Sequence, residues 1–525
     1  MKIDRSKNVK RNLLFGWIDK IVHMFFPFVI RTLIINELGA EYLGLNSLFT
    51  SLLQILSLAE LGFDSSVVFI FYRGVANDDI KLQCALLNFL KRTYLIVGGI
   101  ILVVGLICLP FIQYVIKDTS SLPSDINIYY IYLFFLFNTV VGYFFGAYRN
   151  SILYAYQRND VLNKINISIY SFFAVLQVLL LLIVKDYYCY LYTLPLCTLF
   201  TNLAVVYITK NKFPQINAVG YINDKEKSEL KKLVSGTFLG KIGTILSVTI
   251  DNIVISSFLG VTILAYYTNY SYVITAIQGV LVVVYSAIQG GIGNSLILES
   301  VSKNLRDLNK FTFLYNWIVG WCFYSMIFLF QPFVKIWIGE QGVLPMGIVI
   351  LICINFYSSV SFGILGTYKQ ALGIVWEDRY RPLIGGIVNC SLNVLFVLLL
   401  RNYDDSLALA GVTLSTIIAH LLIDMPWSIH LTFKKYFKNG KGDYYLSLLR
   451  YFTISTIAII LSYPIFSFVD TLTSNNIALL FIRLLLCLLL PNIIFLFSYR
   501  KLNEQKEVFE FIKNKYSRNG RTPIN

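Results

Sequence analysis

Apolar positions along this chain neither alternate nor keep to one helical stripe; they run in blocks of about 20 residues, the length a helix needs to cross roughly 30 Å of hydrocarbon. Fourteen blocks are read, at 13–36, 43–72, 94–116, 127–148, 162–184, 187–209, 233–258, 264–297, 311–334, 346–368, 382–400, 406–433, 451–469 and 475–498. Each predicts a membrane span, because a backbone in hydrocarbon must satisfy its own N–H and C=O groups and a helix does so within one segment. The predicted fold class is an all-α membrane protein of about 14 transmembrane helices. The start, MKIDRSKNVKR, is basic, and the apolar stretch after it reaches Ile35 without a small-residue cleavage site, so the first span is expected to be retained.

Charge then fixes an orientation. The formal net charge of +15 could indicate a nucleic-acid partner, but its placement does not. Alternating the connections between fourteen spans puts both termini in one set of loops, and 36 of the 44 Lys and Arg residues fall in that set. Positive charge is retained on the cytoplasmic side of a membrane, so both termini are expected in the cytoplasm of a bacterial inner membrane, and no nucleic acid is expected. No loop exceeds about 25 residues, which leaves no room for a soluble catalytic domain. The eight cysteines are scattered singly without a CxxC pair, so neither disulfide nor metal chemistry is expected. No GxxxxGK[ST] phosphate loop and no HExxH occurs, so the reading is a non-enzyme without a cofactor, working inside the membrane on an ion gradient, a potential or product removal.

Sliding the chain along itself lays LFGWIDKIVHM from Leu14 over SGTFLGKIGTI from Ser235, pairing Lys20 with Lys241. The same shift matches Leu38-Gly39 with Leu259-Gly260. Six spans separate the two repeat starts, so the repeats are parallel rather than inverted. The predicted organisation is a six-helix lobe over 1–210, a cytoplasmic linker over 211–232, a second six-helix lobe over 233–433, two further helices over 434–499 that read as an appendage, and a basic tail over 500–525.

The first hairpin, with Arg31, LGAEYLGLNSLFTSLLQIL from Leu38 and AELGFDSSVVFIFYR from Ala59, resembles the polysaccharide transporters of the multidrug/oligosaccharidyl-lipid/polysaccharide exporter superfamily, which include O-antigen and capsule repeat-unit flippases. The resemblance covers the whole chain in architecture and about 60 residues in pattern. It implies two lobes around a central cavity that opens alternately to either side, and a cargo of undecaprenyl-diphosphate-linked oligosaccharide carried outward for surface polysaccharide synthesis. Partners so implied are the lipid-linked oligosaccharide, H+ or Na+, membrane lipids and other polysaccharide assembly proteins. A lipid II flippase and a cation-coupled multidrug exporter of the same superfamily are the alternatives, with a membrane polysaccharide polymerase a more distant one.

Ionisable groups within spans cost about 2.5–3.5 kcal/mol each to insert, so each is a candidate functional residue. Arg31, Lys20 and Lys241 are the candidate cations for an anionic diphosphate, with snorkelling to the headgroups as the competing reading for the two lysines. Asp19, His23, Glu60, Asp64 and Asp251 are the candidates for ion coupling or for structural ion pairs; Glu60 and Asp64 share a helix face near the depth of Lys20 and His23. His420, His430 and Asp424 are expected to bond locally, and Arg483 to be structural or lipid-facing. Gly142 with Gly146 and Gly236 with Gly240 form small-xxx-small steps that predict close helix packing.

Overall fold

The computed structural model describes residues 5–57, 63–117, 119, 122–374, 376–473, 475–508 and 510. It is helical, with no strand among the described residues. In chain order the α-helices are α1 (Arg5–Leu33), α2 (Ala40–Leu56), α3 (Phe63–Ala76), α4 (Ile80–Cys108), α5 (Ile128–Phe144), α6 (Asn150–Ala155), α7 (Asn159–Ile183), α8 (Tyr187–Lys212) and α9 (Asp224–Phe258). They continue with α10 (Val261–Leu298), α11 (Val301–Ile338), α12 (Met346–Val360), α13 (Gly363–Ala371), α14 (Tyr380–Leu400), α15 (Asp405–Ala419), α16 (Met425–Thr432), α17 (Lys441–Leu472) and α18 (Asn476–Tyr499). Side chains set these boundaries: Asp79, Asn127, Asp186, Asn223 and Ser300 each accept a backbone N–H in the first turn that follows, supplying bonds a helix start lacks.

Ten of the described helical stretches are long and apolar enough to cross a membrane, or eleven if the bent pair around Phe145 is one span. The remaining spans of the expected fourteen would be α1, α9 and the pair α2 and α3. Charges inside α1 and α9 dilute their apolarity, and α2 holds only 17 residues. The chain is a multi-pass membrane protein.

Two compact units divide the chain at Thr268/Asn269, so α10 starts in the first and continues in the second. The repeat is written in the backbone. Helices begin at Ala40, Ile80 and Asn159, and again at Val261, Val301 and Tyr380, each displaced by the same step that carries Lys20 onto Lys241. Gly39 and Gly260 both take positive φ, at 132° and 108°, and both return an N–H to the carbonyl five residues back, Ile34 at 2.9 Å and Ile255 at 3.0 Å. An L side chain rarely adopts that backbone, which is why each repeat spends a glycine there.

In the second unit α17 and α18 pack on α11 rather than trailing from it. Phe328 and Phe466 stack with centroids 3.8 Å apart, Trp317 donates to Asn492 Oδ1 at 2.8 Å, and Trp321 donates to the Cys487 carbonyl at 2.8 Å. Arg483 pairs with Asp470 and donates to the Phe328 carbonyl at 2.7 Å, which is the structural role expected of it. The close packing expected of the small-xxx-small glycines is found at Gly146, though outside a continuous helix, and not at Gly240. Gly146 lies past the end of α5, at φ 91°, where a Cβ would meet Val206 at 2.3 Å; a Cβ on Gly240 would meet nothing within 4 Å. The motif presupposes an unbroken helix, and the chain turns at Phe145 instead.

Gly44 makes the tightest approach among the described glycines. A Cβ there would sit 1.9 Å from the carbonyl oxygen of Val261, an atom that cannot swing away, whereas a Cβ on Gly99 would meet nothing within 4 Å. Gly44→Ala should therefore destabilise by about 1–3 kcal/mol, as overpacking does, and Gly99→Ala should be neutral or mildly stabilising, as helix propensity dictates. Melting of the two purified variants in detergent measures the difference.

Candidate functional site

Arg31 sits in the last turn of α1, four residues after Pro27, where the helix widens into the π-turn Ile34–Leu38 before Gly39. A π-turn relaxes the strict four-residue ladder and is common where a side chain must be placed for a task. The half-buried Arg31 guanidinium donates to Thr268 Oγ1 at 2.8 Å, and that oxygen lies 3.2 Å from Ser47 Oγ. Asn46 Nδ2 donates to the Tyr190 hydroxyl at 3.3 Å, and Tyr190 lies within the electrostatic field of Arg31. Hydroxyl and amide groups from α2, α8 and the start of α10 thus stand around this guanidinium.

This cluster lies where the two repeats touch. Ser47 and Thr268 are equivalent positions of the repeat, and so are Glu41 and Thr262, whose side chains bond at 3.0 Å. Arg31 itself corresponds to Asn252, which donates to Ser51 Oγ at 2.9 Å. The residue at the depth of Arg31 is thus Asn252; Asp251 is equivalent to Ile30, and both of these are buried.

The other sequence candidates are placed as follows. His23 lies 3.0 Å from the Asp19 carbonyl oxygen and 3.5 Å from its carboxylate, and stacks on Tyr170 of α7 with centroids 4.1 Å apart. Asp19 and His23 are therefore partners of each other. Lys20 and Lys241 are exposed and form no ion pair among the described residues. Glu60 lies outside the described residues, and of Asp64 only the helical backbone is described.

A second polar cluster escaped the reading of the sequence. In the second unit Lys369 Nζ lies 2.5 Å from Asp378, Arg381 bonds Asp378 at 3.1 Å and Asp424 at 2.6 Å, and His420 Nδ1 lies 2.9 Å from Asp424. Lys369 and Asp378 are buried. Asp424 closes the π-turn His420–Asp424, which relieves the ladder ahead of Pro426, a residue with no N–H to give. The one signal available in the sequence was the His420–Asp424 spacing of four; Lys369, Asp378 and Arg381 read only as loop charges.

No family profile matches the chain, and no curated protein matches it either. Solved structures do. One described as the lipid II flippase MurJ, inward closed conformation, aligns with a TM-score of 0.63 and 16% identity over 94% of this chain and 99% of its own. An inward-facing multidrug resistance MATE family transporter of the MOP superfamily gives 0.57 and 15% over 78% and 94%. The Vibrio cholerae MATE transporter VcmN gives 0.52 and 14% over 82% and 97%. The likeness is one of fold. The all-helical architecture expected from the blocks of apolar sequence is that of these membrane transporters.

Removing one member of a buried ionic network strands its partners in a poor solvent, at about 3–5 kcal/mol. Asp424→Ala should lower the stability of the chain by that order. Glu377→Ala, which breaks the exposed pair with Lys435 at 3.1 Å, should cost no more than about 1 kcal/mol. Denaturant titration in micelles compares the two.

Proposed function

We propose that the chain is a flippase that carries undecaprenyl-diphosphate-linked oligosaccharide repeat units from the cytoplasmic to the outer leaflet by alternating access of the lobes 1–210 and 233–433. The observation that carries this reading is the extent of the fold match. The lipid II flippase structure aligns over 94% of the chain, against 78% and 82% for the two multidrug transporters, and α17 and α18 are packed into the second unit rather than appended. The cargo class is thereby drawn toward a lipid-linked saccharide and away from a small drug. Arg31 supports it: a guanidinium in a low-dielectric setting, among hydroxyls, can grip a diphosphate with charge-assisted bonds. The distribution of Lys and Arg supports an inner-membrane orientation with both termini cytoplasmic. Outward movement of a negative charge then gains about 2.3 kcal/mol per 100 mV from the membrane potential.

A second reading, lipid II itself as cargo, is favoured by the name of that same structural neighbour. The two readings differ in the saccharide and share the diphosphate, so one assay separates them. Proteoliposomes holding the purified chain are given lipid II or an undecaprenyl-diphosphate oligosaccharide, and the outer-leaflet fraction is read by enzymatic capture. The first reading expects transfer of the oligosaccharide at a rate at least about tenfold that of lipid II, equal to roughly 1.4 kcal/mol of discrimination; the reverse ratio selects lipid II.

Arg31→Ala should reduce transfer by about tenfold or more at equal reconstitution, since a hydrogen bond to a charged group is worth about 1.5–3 kcal/mol. Arg31→Lys should recover part of it, keeping the charge without the fork. Full transfer by both variants would remove Arg31 from the substrate path.

A further inference from the structure

A group of cations gathers at the end of the first unit where α1 begins, α7 begins and α8 ends, away from Arg31 and unused by the transport reading. At its centre is Asp160, wholly buried. Arg158 Nε donates to Asp160 Oδ1 at 2.9 Å, and an Arg11 guanidinium nitrogen lies 3.4 Å from Oδ2. Lys164 and Lys212 stand within electrostatic reach of the same carboxylate, and Lys212 also within reach of Arg158, Lys164 and Arg11. Both lysines are exposed and neither forms an ion pair among the described residues.

The group is held rather than loose. Asn12 Oδ1 accepts the Asp160 N–H at 2.7 Å while Asn12 Nδ2 donates to the Gln157 carbonyl at 3.1 Å, tying α1 to the turn before α7. Gln157 in that turn has φ 55°, a conformation a glutamine keeps only when its surroundings impose it. Asp160 thus fixes Arg158 and Arg11, Lys164 is held with its Nζ over the Phe15 ring of α1 at 4.3 Å, and Lys212 stands exposed at the end of α8. The amides of the first turn of α7, a helix of 25 residues, add positive potential at the same place.

The repeat provides a control within the same chain. At the repeat offset Asp160 corresponds to Arg381, so the sign is inverted. Around Arg381 the charges balance: Lys369 and Arg381 face Asp378 and Asp424 within 3.1 Å. Around Asp160, among the described residues, cations outnumber carboxylates. One carboxylate there faces two guanidinium groups and two lysines, of which Lys164 also lies over the Phe15 ring.

We propose that Arg158, Lys164 and Lys212, braced by Asp160, form a binding site for a phosphate group. A phosphodiester lipid headgroup and a soluble phosphate share that chemistry; basic pockets between helices at a membrane face are suited to the first. The site is separate from Arg31, so its test does not depend on transport.

The purified full-length chain is equilibrated with mixed micelles of phosphatidylglycerol and phosphatidylcholine, and retained phospholipid is counted by native mass spectrometry. Wild type should retain phosphatidylglycerol over phosphatidylcholine. Lys164→Ala and Lys212→Ala should each weaken retention by about fivefold, the worth of one basic residue at a membrane surface. Lys81→Ala and Lys225→Ala, at exposed positions elsewhere in the same unit, should leave it unchanged. Displacement of the lipid by millimolar inorganic phosphate, beyond that by chloride at equal ionic strength, assigns the site to soluble phosphate; lysine-dependent retention that resists phosphate assigns it to the headgroup. Equal loss in the control variants, or no loss in Lys164→Ala and Lys212→Ala, overturns the proposal, as does the absence of both lipid retention and a phosphate effect.

Discussion

The close crossing of α2 and α10 constrains the rest of the first unit. At Gly44 the backbone of one repeat lies against Val261 of the other with no room for a methyl group, and the equivalent residue, Ala265, is itself small and fully buried. On either side of this point equivalent residues meet each other, Glu41 with Thr262 and Ser47 with Thr268. A pair of helices locked this closely sets the position of whatever follows them, because a packed interface slides only by discrete steps. Arg31 reaches Thr268 only because the crossing brings the start of α10 beside the end of α1.

The repeat that meets at this crossing is legible in the sequence. The offset between the repeats follows from short matches around Lys20 and around Leu38-Gly39, and the helix starts at 40, 80 and 159 recur at the same offset. Hydrophobic blocks report membrane spans strongly because a span tolerates so few polar residues. The partner of Arg31 was not legible, for Thr268 lies 237 residues away and a threonine in an apolar block carries no signal of its own. The pairing of Asp19 with His23 is legible in spacing, four residues on a helix, whereas matching depth alone points Lys20 and His23 toward Glu60 and Asp64.

The buried network of Lys369, Asp378, Arg381, Asp424 and His420 was illegible for a different reason. Loop charges are ordinarily solvated, and in a membrane protein their natural reading is topological. Burial of Lys369 and Asp378 is a tertiary event: Lys369, near the end of α13, reaches Ser428 of α16 at 3.4 Å and pairs with Asp378 of the following loop, and no local pattern announces it. Three of these five residues lie in the set of loops that the charge count assigns to one side, so the same side chains serve orientation and packing at once.

Inversion of sign between Asp160 and Arg381 shows how duplicated halves can keep a scaffold while changing its chemistry. Helix starts and turn glycines are held by backbone geometry, which tolerates little change: a side chain at Gly39 or Gly260 would be strained. Charge at a helix end is under weaker geometric control, because a carboxylate with surrounding guanidinium groups and a guanidinium with surrounding carboxylates fill the same space and satisfy the same bonds. What differs is the remainder. A cluster that balances is finished once it has folded, and it contributes rigidity at the foot of α14 and α16. The cluster around Asp160, at the start of α7 and the end of α8, has more cations than carboxylates among the described residues, and this is the asymmetry that the proposed phosphate site would use. Two positions equivalent in the repeat thereby carry opposite charges, while the backbone offset that relates them is unchanged from one helix start to the next.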